Sequence, residues 1–291
     1  MAVSSIPLDV LNPGQVFACL GLMEATLELV GECKAGFDWS DPAGDRFVLR
    51  CGGETEPVPR VLDFLLNCEV RFVMPAIGTY ETSKWGVSCR QAEGFAYPSR
   101  PPGSAATLAA ELAWAGETLL VDYWADSTRD NAKFWAGSGG YPGAARLQEM
   151  LGLVRRHEGA FRQTPFDVAD RMSSSYRLDW RRDYVPIDAG FSPNNHASIV
   201  TIGYPGVEIL AAIGLGHARP LRHQKLAYSY GIVGRRDGAM PLDSAFLQPP
   251  FVRAALGCVD LPFPARRFDM RLSLPGKHER AITQVTETTN R

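Results

Sequence analysis

The chain has 291 residues, 45% of them hydrophobic, with a formal net charge of −2, 28 glycines, 21 prolines and six cysteines. This composition is enough for a sizeable core in one large domain or two small ones, and it excludes a long disordered tail or a simple polycation. The cysteines are scattered with no CxxC pair, so no zinc site is expected and reduced thiols are. No apolar run reaches roughly 18 residues, and MAVSSIPLDV lacks the basic and apolar regions of a leader. A cytoplasmic protein with no membrane contact is therefore expected.

SIPLDV reads as a strand, followed by an Asn-Pro-Gly turn and an apolar helix, VFACLGLMEATLELV, with Glu24 and Glu28 on a narrow polar stripe. DRFVLRC reads as a strand, PRVLDFLLN as a helix opened by Pro57 and Pro59, and EVRFVMPA as a third strand. The rhythm strand–helix–strand–helix–strand is that of an α/β or split βαβ unit. YPSRPPGS (97–104) is a loop, SAATLAAELAWA a helix from Ser104, and ETLLVDYWA a strand. AARLQEMLGLVRRH reads as an amphipathic helix and YRLDW and SIVTIGY as strands. GVEILAAIGLGHARPL reads as an apolar helix ending near Gly216. KLAYSYGIV is a strand, FVRAALGCV a short helix and RRFDMRLSL a strand, with no internal repeat evident.

Charge is unevenly distributed. Residues 1–150 carry 11 Lys+Arg against 19 Asp+Glu, a net of −8; residues 151–291 carry 19 against 13, a net of +6. An acidic front and a basic back fit a polyanion surface on the back half, a charged face that docks on a partner, or simple variation along the chain.

Four stretches bear on chemistry. The opening turn, NPGQVFACLG, lacks the Lys and hydroxyl of a phosphate loop and the GxGxxG of a dinucleotide fold. It is expected to be a strand-to-helix corner capped by Asn12. KFWAGSGGYPG (133–143) packs four glycines into eleven residues beside Lys133, Trp135 and Gly137, which suits close approach to a ligand and equally suits a surface loop. In SSSYRLDWRRDY, Arg177, Arg181 and Arg182 interleave with Tyr176, Trp180 and Tyr184. On a strand this gives a basic face over an aromatic layer, fit for nucleic acid or for ion pairs with Asp179 and Asp183. HARPLRHQK (217–225) sets His217 and His223 among Arg219, Arg222 and Lys225. The cations suit phosphates or a helix exit, and either histidine suits general acid–base cleavage of RNA without metal. GxSxG, HExxH and acidic metal clusters are missing, and no cofactor is expected.

The ordered blocks NPGQVFACLGLMEA (12–25), KFWAGSGG (133–140), LDWRRDYVPIDAGFSPN (178–194), PGVEILAAIGL (205–215), LPFPARRFDMRL (261–272) and AITQVTE (281–287) resemble a subunit family of type I-U, or type I-G, CRISPR–Cas systems of the Csb and Csx kind. The resemblance implies an α+β fold of the RAMP superfamily. Its core would be ferredoxin-like, of the RNA-recognition type, with large insertions in a single domain spanning 1–291; 97–104 would be the seam if an acidic front part separates from a basic back part. It implies a non-catalytic, RNA-associated subunit of an antiviral effector complex, with guide RNA, target nucleic acid and other subunits as partners. By position, its blocks point to Lys133, Trp135, Gly137, Arg181 and Arg182 as RNA-binding. Arg177, Arg219, Arg222 and Lys225 join them from the residue reading. The alternatives are a metal-independent guide-RNA-processing endonuclease using His217 or His223, and a structural docking subunit that binds no RNA.

Overall fold

The first strand, β1 (Ala2–Pro7), alternates buried and exposed residues, and Asn12 then starts α1 (Pro13–Leu29). Asn12 is extended and its Oδ1 accepts from the Gly14 N–H at 3.1 Å, while Pro13 sits where a helix needs no N–H. α1 is enclosed on nearly every side, as its apolar composition requires. β2 (Cys33–Asp38), β3 (Arg46–Cys51), α2 (Pro57–Asn67) and β4 (Glu69–Pro75) follow. The segment thus contains one strand more than the sequence pattern suggests. CKAGFD escapes notice because its alternation is short, rests on the small residues Cys33 and Ala35 and contains Gly36, a residue that weakens a strand signal. Gly36 is small for a reason: the carbonyl oxygen of Ala245 occupies the space a side chain would take.

β5 (Ser88–Ala92), β6 (Ala109–Trp114) and β7 (Glu117–Val121) form the next group. The helix expected from Ser104 is not there. Ser104 and Thr107 do make a reciprocal cap, but it closes only a short 3-10 turn, Ala105–Thr107. Leu108 then turns extended, and Ala109–Trp114 pairs between β4 and β7. Ala110 and Leu112 are buried there, so tertiary packing overrides the helix propensity of AAELA. Ala115 (φ 52°) and Gly116 (φ 87°) make the tight β6–β7 hairpin, whose two central residues both need positive φ.

The remaining elements are α3 (Gly143–Arg156), α4 (Glu158–Gln163), β8 (Asp170–Arg171), β9 (Ile202–Gly203), α5 (Pro205–His217), β10 (Leu221–Gln224), β11 (Ala227–Arg235), α6 (Pro249–Leu256), β12 (Ala265–Ser273) and β13 (Ala281–Thr288). Residues 176–181, expected as part of a strand, are not one: Arg177 has φ 59°, which a strand does not allow. Of SIVTIGY, only Ile202–Gly203 is a strand among the described residues. The computed structural model describes residues 1–76, 78–93, 104–124, 141–172, 176–181, 201–273 and 281–288.

The architecture is α+β. A seven-stranded sheet runs β1-β3-β2-β11-β12-β13, with β10 also paired to β11; a four-stranded sheet runs β5-β4-β6-β7; β8 and β9 form a small ribbon. β2 joins β11 in parallel through Phe37–Gly234, so the first and last thirds of the chain share one sheet. The order strand–helix–strand–strand–helix–strand occurs twice, from β1 to β4 and from β9 to β12, a recurrence that the sequence does not display.

The equivalent helices of the two runs, α1 and α5, pack on each other at the centre. A Cβ on Gly21 would collide with the Leu210 carbonyl, and one on Gly214 would collide with the Phe17 carbonyl and lie 2.7 Å from the Gly21 amide nitrogen. Phe17 on α1 meets Tyr230 on β11 edge-on at 6.0 Å, and α3 lies against β4 and β6 of the other sheet. One hydrophobic cluster runs from Ile6 to Ile282. No described helix is long and apolar enough to cross a membrane.

Glycine packing gives an opposed pair of predictions. Gly214→Ala should cost about 3 kcal/mol or more, because backbone has to move. Gly152→Ala, in α3 with open space around it, should gain about 0.5–1 kcal/mol from helix propensity. Denaturant melts of the two variants check this; equal effects would show that the α1–α5 crossing does not limit stability.

Candidate functional site

Alternation along β12 buries Phe268, Met270 and Leu272 and turns Arg267, Asp269 and Arg271 outward. Register extends this outer row across the sheet. Asp269 lies between Ser229 on β11 and Thr286 on β13; Arg271 lies between Ala227 and Gln284; Arg267 lies between Gly231 and Thr288. The β11 residues on this face are small. α6 covers the face at Gly231, where an added Cβ would come 2.5 Å from the Ala255 carbonyl oxygen. Beyond that point the face opens into a cleft of about 620 Å³, lined by Ser229, His223, Asp269, Arg267, Arg271 and Gln284 among others. A second hollow of about 370 Å³ shares Gln224 and Arg271 and adds Lys225.

A proton chain crosses the floor of the cleft. His223 Nε2 lies 2.7 Å from Ser229 Oγ, and Ser229 Oγ bonds Asp269 Oδ1. A serine hydroxyl has one hydrogen and a carboxylate only accepts, so Ser229 donates to Asp269 and His223 Nε2 donates to Ser229. Asp269 Oδ2 is left without a partner among the described residues. The bulge in β10 between Arg222 and Gln224 brings His223 to this face. Arg267 pairs with the exposed Asp260 at 2.5 Å, whereas Lys225 and Arg271 are exposed with no ion-pair partner among the described residues. Cys258 also lines the cleft. Burial pushes its thiol up to about 11, with Arg267 opposing and Asp269 adding, so it is no nucleophile at neutral pH.

Of the residues singled out from the sequence, His223 lines this cleft and Lys225 lines the adjoining hollow. Arg222 stands opposite Tyr228 on the other face of β10, with its Nε 3.4 Å from the Gln224 carbonyl. Arg219 donates to the Tyr123 carbonyl at 3.2 Å. His217 is 3.4 Å from Glu24, a buried carboxylate also held by two 2.6 Å bonds from Arg253. Glu24 thus lies inside the protein, while Glu28 remains on the surface. Arg177 sits beside the core with its backbone at positive φ. Lys133, Trp135, Gly137 and Arg182 lie outside the described residues. The sequence reading did not single out Ser229, Asp269, Arg267, Arg271, Gln284 and Thr286. The alternation of RRFDMRL signalled the outward row; its cross-strand neighbours depend on pairing that no local pattern reveals.

Arg181 is built into the fold. It grips Asp179 with bonds of 2.7–3.2 Å, reaches the Phe166 carbonyl at 2.6 Å and Asp167 at 3.3 Å, and lies 3.7 Å above the Tyr204 ring. Asp179 in turn accepts from Asn12 Nδ2 at 2.8 Å, and the Leu178 and Asp179 amides donate to the buried Glu208 carboxylate. The segment 176–181 thereby ties together the N-terminal ends of α1 and α5.

The charge asymmetry of the two halves is partly internal as well. Arg253–Glu24, Arg235–Asp38, Arg266–Asp45 and Arg162–Asp63 each join a basic residue of the back half to an acid of the front half. A cleft of about 540 Å³ on the smaller sheet is also self-neutralised, by Arg90–Glu111 and Arg71–Glu69. No group of three or more His, Cys, Asp or Glu side chains among the described residues is placed to hold a metal ion. Comparison with protein-family models, with curated proteins and with solved structures gives no match.

Arg181→Ala should destabilise the chain by about 3 kcal/mol, because it strips the cationic partner from a carboxylate with no exposed surface. Thermal unfolding measures this. A variant with unchanged stability would return Arg181 to the pool of ligand-binding cations.

Proposed function

We propose that the chain is a non-catalytic, RNA-associated subunit of a type I-U or I-G CRISPR effector complex, working in the cytoplasm, and that it contacts RNA through the outer face of β10–β13. The observation that carries the RNA contact is the pair of exposed cations, Lys225 and Arg271, that border a polar cleft on an open antiparallel face. Phosphates supply the charge these two lack, and the exposed Gln284 and Thr286 offer hydrogen bonds to sugar and base. The six sequence blocks support the CRISPR assignment. Two of them, LPFPARRFDMRL and AITQVTE, supply most of β12 and of β13, which form half of this face.

A ferredoxin-like RAMP core is supported by the element order from β1 to β4, which is that of a split βαβ unit, and by the adjacent antiparallel strands β1-β3-β2. β4 departs from the simplest form of such a core by pairing with β5 and β6 in the second sheet.

A second reading, metal-independent RNA cleavage, is favoured by one contact, His223 to Ser229. With Nε2 committed as a donor, only Nδ1 is left to take a proton from substrate.

The test is binding of labelled single-stranded guide RNA across a salt series with EDTA present, read also on a denaturing gel. Binding should weaken with salt, with a log–log slope of about −0.7 per phosphate neutralised. Lys225→Ala with Arg271→Ala should reduce the slope by about 1.4 and weaken binding about tenfold or more at low salt. Cut RNA that stays intact with His223→Ala, but not with His217→Ala, would replace this reading with the nuclease. No binding at low salt would leave a protein-docking subunit.

A further inference from the structure

A carboxylate stands in the middle of the cationic row. Along β12 the outward order is Arg267, Asp269, Arg271, and successive members are about 7 Å apart at the rise of a strand. A face meant only for phosphates gains nothing from a negative charge at its centre, because a phosphate placed there is repelled. Nor is Asp269 neutralised by its surroundings. It makes no ion pair among the described residues, and its one hydrogen bond, from Ser229, engages Oδ1 alone. Oδ2 is an acceptor on a cleft-lining residue and has no donor among the described residues.

The strands around it keep that acceptor approachable. On one side the floor is Ala227 and Ser229, with nothing larger than a hydroxymethyl group; on the other, Thr286 stands directly across from Asp269. The His223–Ser229 chain holds Oδ1 and so fixes the carboxylate's rotation. The site is therefore a fixed acceptor flanked by cations two residues away on either side. Arg271 makes no ion pair among the described residues. Among the described residues Arg267 is tied only to Asp260, whose side chain is 98% exposed, a pair that is cheaply exchanged for a phosphate.

We propose that Asp269 is a sugar-selecting residue, whose Oδ2 accepts the 2′-hydroxyl of a ribonucleotide while Arg271 and Arg267 hold the neighbouring phosphates. A ribose offers the one donor on a nucleic-acid backbone, and it is the group that separates RNA from DNA. A deoxyribose presents C–H there, leaving the carboxylate unsatisfied beside phosphates. The cleft thus discriminates by rejecting the wrong strand as well as by binding the right one. The inference rests on the RNA-associated reading and names what that surface recognises.

The experiment compares three strands of one sequence, RNA, its 2′-fluoro form and its 2′-deoxy form, against the intact chain and against Asp269→Asn. The intact chain should bind RNA about tenfold more tightly than the other two, since fluorine cannot donate. Asp269→Asn keeps an acceptor for Ser229 while removing the charge. It should tighten deoxy binding at least threefold and bring the ratio close to one, with its melting temperature showing that the fold is retained. The ligand-side comparison needs no variant, so it stands even if the substitution disturbs the fold. Salt-sensitive binding of all three strands with equal affinity would overturn the sugar-selecting role and leave the RNA-associated reading intact. Binding of none of them at low salt would overturn both.

Discussion

The contact between Gly21 and Gly214 is the constraint on which the rest of the structure depends. Two helices, each apolar around almost its whole circumference, approach until backbone touches backbone. Close packing leaves no room for relaxation, so the crossing sets the positions of everything attached to either helix. Phe17 carries it to Tyr230 and the large sheet, and α3 packs between α5 and the small sheet. At the N-terminal ends, the buried carboxylates Asp179 and Glu208 accept enough donors to offset their loss of water. Near their C-terminal ends, Glu24 plays the same part with Arg253 and His217.

The outward face of β10–β13 draws its rigidity from this interior. Tyr230 stacks on Phe268 at 5.0 Å, and its hydroxyl bonds the Val10 carbonyl at 2.8 Å. Because side chains alternate along a strand, the same backbone presents that packed layer inward and Asp269, Arg271 and Ser229 outward. Polar groups held this way need little reorganisation on meeting a ligand, which reduces the cost of binding. The basic excess of the back half has a different main role. Several of its arginines hold acids of the front half, so much of the charge pattern serves to join the two parts of one core.

How much of this was legible depends on range. Asn12, Pro13 and the apolar run after them announce α1 correctly because a cap and a helix are local events. RRFDMRLSL announces β12 and its two faces by simple alternation. AAELAWA misleads because alanine and leucine favour helix locally, while pairing with β4 and β7 decides the outcome. CKAGFD is silent because its glycine answers to Ala245, some two hundred residues away. The same holds for the cleft. His223 and Lys225 stand out in HARPLRHQK, but their partners Ser229, Asp269 and Arg271 become neighbours only through register. Arg181, conspicuous beside two aromatics, is occupied by Asp179 and Phe166 in a way that no reading of SSSYRLDWRRDY reveals.

The parallel junction of β2 with β11 has a consequence for the birth of the protein. Phe37 waits for Gly234, and α1 waits for α5, so the first helix leaves the ribosome long before the helix it packs on most extensively. Roughly 190 residues separate the two glycines of the crossing, which at about 5–20 residues per second is on the order of 10–40 s of exposure. The nascent chain is an apolar segment searching for a partner not yet made, and contacts of such high sequence separation form slowly. Chaperone demand and sensitivity to truncation are therefore written into the strand order itself: a product that stops before α5 has the beginning of a core and nothing to close it.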